Sequence, residues 1–195
     1  MTQEKKTSPD VEVRIYSIAT SLTESIIFLD EADGTRILPI WIGPMEAQAI
    51  AIRLSGYPSP RPMTHDLMFS IIKTLGQTVS RVTITDILEN TYFSQLHITD
   101  PAGVTHLVDA RPSDAVALAV RFGCPILINE RVFSKTQVLS KPITEEEVIK
   151  FKQDLKNLKP NDIIGNPGIR KPGRGERRGG KKDEDQGGED DHEQA

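Results

Sequence analysis

Two apolar runs joined through Asp33-Gly34 and followed at once by Gly43-Pro44 constrain this chain more than any other feature. In SIIFLDEADGTRILPIWIG (25–43) the Asp-Gly pair between apolar runs predicts a hairpin. Pro44 then stands where the first turn of a helix tolerates proline, and Glu46 in that turn complements the helix dipole. The segment PMEAQAIAIRLS (44–55) is alanine-rich and apolar nearly all round, which predicts a buried, closely packed helix.

The same reading extends in both directions. Alternation in VEVRIYSIA (11–19) predicts a strand that changes face near Tyr16 or Ser17. Prolines between Gly56 and Met63 enforce a loop, and Thr64 or His65 opens a second helix that closes at Gly76. Strands are predicted over 79–88, 91–99 and 104–109, with turns at Glu89-Asn90 and at 100–103. A third helix runs from Pro112 or Ser113 to Gly123, and PILIN (125–129) reads as a short buried strand. The last helix opens with a capping box, Thr144 and Glu147, stapled by Ile143 and Val148. Its apolar stripe is Val148, Phe151, Leu155 and Leu158, and Pro160 ends it.

Beyond Gly165 the chain is mostly Gly, Arg, Lys, Asp and Glu with one large apolar residue, Ile169, too little to offset the entropy of ordering. The expected organisation is a flexible 1–9, one domain over 10–160 and a disordered charged tail over 161–195. The tail is basic over 170–182 and acidic over 183–193. One cysteine, Cys124, rules out a disulfide framework and reads as an inert core residue. The first ten residues lack a signal-peptide core, and no apolar run approaches the roughly 20 residues that cross a bilayer. The expectation is a soluble cytoplasmic protein without a membrane partner.

The formal net charge is −4. Residues 165–195 hold seven basic and eight acidic side chains, which leaves 17 and 20 in 1–164, a net of −3 there. Strong non-specific nucleic-acid binders carry a basic surface, because affinity comes from neutralising phosphates. This domain advertises none.

Chemistry-bearing residues cluster at the starts of the apolar helices: Glu46; Arg61, Thr64, His65 and Asp66; and Asp109, Arg111, Ser113 and Asp114. Hydrolysis of a phosphodiester needs positive charge on phosphate, a base for water, and often carboxylates that bind metal. All three kinds are present, and helix N-termini add donors that suit a phosphate. Each has a plainer reading too. Thr64, Asp66, Ser113 and Asp114 suit capping or first-turn positions, and Arg61 and Arg111 suit structural ion pairs with Asp66, Asp109 or Asp114. His65 is the best proton carrier, since histidine ordinarily titrates near neutrality. His97 and His106 flank a turn without an adjacent carboxylate and read as structural, and Trp41 reads as core. The strings RPMTHDLMFSIIKTLG (61–76) and RPSDAVALAVRFG (111–123) echo one another, either as a duplicated element or as two helices begun by the same capping chemistry. There is no P-loop, GxGxxG, HExxH or G-x-S-x-G, which speaks against a nucleotide-driven motor, a dinucleotide oxidoreductase and a serine hydrolase.

In order, LPIWIGPMEAQAIA (38–51), RPMTHDL (61–67), LG (75–76), DARPSDAVALAVR (109–121) and PI (125–126) resemble the bifunctional nuclease domain family. The likeness spans about 11–140. It implies a compact single α+β domain with a mixed or antiparallel sheet and three to four helices, DNase and RNase activity, and homo-oligomers. It also implies nucleic acid as partner. The helical UvrB/UvrC-type motif that many relatives carry does not occur after Gly165.

The resemblance assigns no residue roles, so the roles rest on the motif residues of this chain. The expected set is His65, Asp66 and Glu46 for catalysis, Arg61, Thr64, Arg111 and Ser113 for phosphate, and Asp109 and Asp114 for Mg²⁺ or Mn²⁺. No organic cofactor is expected. The leading reading is a nuclease of low sequence preference on DNA and RNA. The alternative is a non-catalytic module that binds a phosphorylated metabolite or a protein partner at the same cluster. A third is a scaffold in which the cluster builds an oligomer interface.

Overall fold

A computed structural model describes residues 8–20 and 24–141, together with Lys150 and Gln153. Among the described residues eight strands form one sheet, in the order β6-β5-β4-β7-β1-β2-β3-β8. The strands are β1 (Asp10–Thr20), β2 (Ser25–Glu31), β3 (Arg36–Ile42), β4 (Thr78–Leu88), β5 (Thr91–Thr99), β6 (Thr105–Ala110), β7 (Ile126–Asn129) and β8 (Leu139–Ser140). The helices are α1 (Pro44–Ser55), α2 (Thr64–Thr74), α3 (Pro112–Phe122) and α4 (Glu130–Lys135). The sheet is mixed: β4 and β7 run parallel, and the other pairs are antiparallel. This is the α+β architecture expected.

Period-two burial builds the core. Ile27 and Leu29 on β2, and Leu38 and Ile40 on β3, face the main apolar cluster, which also takes side chains from all four helices. The alternate residues Ile26, Phe28 and Ile37 face the other side, in a smaller cluster with Trp41 at its margin. The face change expected in β1 is a bulge between Ile15 and Ser17. Glu89 and Asn90 both have positive φ, 45° and 66°, as a tight hairpin turn that follows the strand twist requires.

Some expectations need correction. α1 is not buried all round: Ala47, Ala49 and Ile50 pack inward, while Met45 and Leu54 are exposed. Among the described residues, α1 packs mainly through the face turned to α3 and the sheet. Of the two histidines that flank the β5–β6 turn, the register pairs His97 with Leu107 and His106 with Ile98. His97 is buried 3.2 Å from the Thr83 hydroxyl, whereas exposed His106 does have a carboxylate, Asp100, at 3.2 Å.

α4 and β8 were not anticipated. Arg36 fixes α4 to the hairpin by pairing with Glu31 at 2.7 Å and Glu130 at 2.6 Å, its guanidinium 4.2 Å from the Phe133 ring centre. The capped helix expected over 144–158 and the tail over 161–195 lie outside the described residues, apart from helical Lys150 and Gln153.

Candidate active site

The first turn of α2 carries the chemistry. Met63 is the extended residue before the helix, so Thr64 is the first helical residue and not its cap. Asp66, two positions further on, accepts the Met63 N–H at 2.9 Å and satisfies one of the free donors of the helix start. His65 and Asp66 are consecutive, so their side chains leave the helix about 100° apart. They enter different surroundings. α3 meets both.

His65 Nε2 lies 3.0 Å from Asp114 Oδ1, and the His65 side chain is only 9% exposed. Asp114 also accepts two hydrogen bonds from Arg111, 2.8 Å from Nε and 3.1 Å from Nη2. Arg111 Nη2 reaches Glu46 on α1 at 2.9 Å. A chain of four charged or titratable groups, His65–Asp114–Arg111–Glu46, thus crosses the starts of three helices. They line a cavity of about 420 Å³ with Thr64, Met45 and Met68. Burial pushes the Asp114 carboxyl up, but Arg111 and His65 outweigh it and hold it below the ordinary carboxylate range. Asp114, and after it Glu46, hold the Arg111 guanidinium in its charged form.

Asp66 faces elsewhere. Its Oδ1 accepts from Arg121 Nε at 2.6 Å, and Arg121 is 3% exposed. Arg121 also donates to Ala117 O at 2.9 Å and Ala49 O at 3.3 Å, so one guanidinium joins α1, α2 and α3. Burial raises the Asp66 carboxyl; the Met63 N–H and Arg121 more than reverse that, and its pKa lies below the ordinary value. Sequence reasoning missed Arg121. Its signal is an arginine seven residues after Asp114 on an otherwise apolar helix face, the spacing of two turns.

The remaining expected residues are scattered. Arg61, in the loop before α2, lines a second cavity with Asp66 and Arg121. Buried Ser113 lines a third with Trp41 and Tyr92. Asp109 is exposed on β6, pairs in register with Gln95 and lines none of these cavities. The two echoing strings are not equivalent in space. Arg111 is the residue before α3 with Pro112 as its first helical residue, whereas Arg61 and Pro62 both precede the Met63 boundary of α2.

A divalent cation fits this arrangement poorly. Glu46 and Asp114 each already accept from Arg111, and among the described residues no three His, Cys, Asp or Glu side chains group as ligands. Cys124 is half-buried beside the core, and burial pushes its thiol up to about 11, which leaves it no nucleophile.

The model of the bifunctional nuclease domain matches residues 27–141, which includes every residue of this site. The chain belongs to the bifunctional nuclease domain family. An uncharacterized protein of Mycobacterium tuberculosis is 38% identical over 163 residues, covering 78% of this chain and 97% of the relative. Bifunctional nuclease 1 of Arabidopsis thaliana is 30% identical over 107 residues, 53% of this chain and 33% of the plant protein. Bifunctional nuclease 1 of Oryza sativa is 26% identical over 122 residues, 61% of this chain and 37% of the rice protein. The plant proteins are thus about three times the length of the segment they share.

Proposed function

We propose that this domain hydrolyses phosphodiester bonds of DNA and RNA with low sequence preference, His65 moving the proton and Asp114 orienting it. The observation that carries this reading is the 3.0 Å contact between His65 Nε2 and Asp114 Oδ1 inside a cavity of a bifunctional nuclease domain. With Nε2 held by Asp114, the nitrogen free to exchange a proton with water or the leaving oxygen is Nδ1. A carboxylate behind a histidine fixes the ring's orientation and stabilises its charged form, as in other acid–base pairs. Arg111 holds Asp114 in place, and Glu46 holds Arg111, so both act as positioning residues.

Mg²⁺ or Mn²⁺ at Asp109 and Asp114, as the sequence led us to expect, would have to displace Arg111 from Asp114. Cleavage of labelled single-stranded DNA and RNA in Mg²⁺, Mn²⁺ and EDTA tests both points, with His65→Ala purified alongside. Cleavage by wild type that falls about a hundredfold in His65→Ala supports the proposal. Equal cleavage by the two proteins refutes it.

One observation favours the non-catalytic alternative. Arg111 is spent on two carboxylates, so among the described residues the His65 cavity offers an incoming phosphate no uncommitted cation of its own. Binding without turnover by pure wild type would establish that reading.

Self-association is part of the proposal. Among the described residues β6 has one strand neighbour, and it leaves Leu107 (58% exposed) and Val108 uncovered. Such an edge suits pairing with a second copy. No helix among the described residues is long and apolar enough to cross a membrane.

A further inference from the structure

The cavity beside Asp66 differs from the His65 cavity in sign. It measures about 350 Å³ and is lined by Arg53, Tyr57, Arg61, Asp66 and Arg121, among others. Arg121 and Asp66 neutralise each other at 2.6 Å. That leaves Arg53 and Arg61, neither of which makes a side-chain hydrogen bond or ion pair among the described residues. Arg53 is close enough to Asp66 to help hold its carboxyl ionised. In the His65 cavity one arginine faces two carboxylates; here three arginines face one. A domain with more acidic than basic side chains therefore keeps on a single concavity two guanidinium groups that, among the described residues, no side-chain hydrogen bond or ion pair occupies. Guanidinium groups match phosphate oxygens in charge and geometry.

The wall that carries them is stiff. Gly56 ends α1 with φ of 69°, and Tyr57 to Pro62 alternates with Pro58, Pro60 and Pro62. Ser59 Oγ donates to Arg61 O at 2.7 Å and tightens the turn. Prolines cut the entropy lost when such a loop holds a ligand. Tyr57 is 74% exposed and offers an aromatic face on the lining of this cavity. Aromatic faces offered beside cations are how single-stranded nucleic acid is held, a base on the ring and its phosphate on the arginine.

We infer that this cavity binds one nucleotide of a single strand, phosphate on Arg53 and Arg61 and base on Tyr57. It rests on the nuclease reading, for which it supplies the nucleotide that flanks the bond presented to His65 across the first turn of α2. The volume lies within the roughly 300–1,000 Å³ of small-ligand sites. It explains how an acidic domain with a carboxylate-rich reaction cavity holds a polyanion: the charges that attract phosphate and the groups that move protons sit in separate pockets.

The test is fluorescence anisotropy with a labelled single-stranded thymidine oligonucleotide, in EDTA, across a salt series. The proteins are wild type, Arg53→Ala/Arg61→Ala and Tyr57→Ala, all changed at exposed positions so that the fold is kept. The double variant is expected to bind at least about tenfold more weakly. Its log–log salt slope should be shallower by about 1.4, the release from two phosphate contacts on a single strand. Tyr57→Ala should also weaken binding by about tenfold, with the salt slope unchanged. Wild-type affinity and slope in both variants, or no binding by wild type, would overturn the inference. Thymidine monophosphate as competitor separates the sources: competition only in large excess supports a strand, whereas competition at equal concentration overturns the strand in favour of a free nucleotide. Cleavage measured in parallel keeps the two claims apart. Binding through these residues without cleavage sinks the nuclease reading alone, and cleavage with binding untouched by the variants sinks this pocket alone.

Discussion

Arg121 holds Asp66 across 2.6 Å from a position two helical turns beyond Asp114, the residue that holds His65. One face of α3 therefore grips two consecutive residues of α2, roughly 10 Å apart along its axis. The Arg121–Asp66 pair joins the three helices at the start of α2, and the Asp114–His65 pair faces the 420 Å³ cavity.

The grip is asymmetric, and stability measurements should show it. Asp66 keeps partial access to water, whereas Arg121 is nearly sealed. Asp66→Ala strands a buried guanidinium and is expected to cost about 2–4 kcal/mol in urea unfolding. Arg121→Met, which leaves the carboxylate near water and fills the space, should cost less. Equal losses, or a loss under about 0.5 kcal/mol for Asp66→Ala, would refute the role given to the pair.

Acid should loosen the same joint. Asp66 and Asp114 ionise in the fold below their ordinary value of 3.8. Unfolding restores that value, so the unfolded chain binds more protons on acidification. The stability these groups contribute is complete above 3.8 and drains away as pH falls through the lower folded-state values. Melting temperature followed from neutral pH into this range should fall, and less steeply in Asp66→Asn/Asp114→Asn. Parallel curves for the two proteins would contradict this.

Arg111 is predicted to serve its carboxylates more than a phosphate. Arg111→Ala should raise the Asp114 pKa toward the ordinary range, read by NMR titration, because Arg111 is the stronger of the two groups that depress it. An unshifted Asp114 would free Arg111 for the phosphate role expected from the sequence.

Self-association through β6 predicts a mass by light scattering above that of one 21.6 kDa chain. Leu107→Lys/Val108→Lys places charge on the edge strand and should return the monomer. A monomeric wild type at high protein concentration would remove the proposal.

Much of the fold can be read from local pattern. The alternation of β1, the Asp33-Gly34 hairpin of β2 and β3, and the Pro112 and Gly123 boundaries of α3 are local signals, and each element forms where it is read. α4 and β8 escape because six and two residues are too short for a period to show. The site is legible as a set and illegible as an arrangement. Glu46, His65, Arg111 and Asp114 share a cavity, a convergence of helix starts that the sequence alone does not show. Asp66 stands beside His65 in sequence yet turns to Arg121, and nothing local reveals a partner 55 residues away. Arg53 and Tyr57 carry no motif; only the fold brings them to Arg61.

The most direct measurement is the pH–rate profile of cleavage of a labelled single strand by wild type and by Asp114→Asn, purified identically. The substitution keeps the shape of the side chain and removes the charge that faces His65. The account predicts activity in wild type, a fall of about a hundredfold in the variant, and a profile of different shape once the Asp114 charge is removed. Equal rates and superimposable profiles would contradict it.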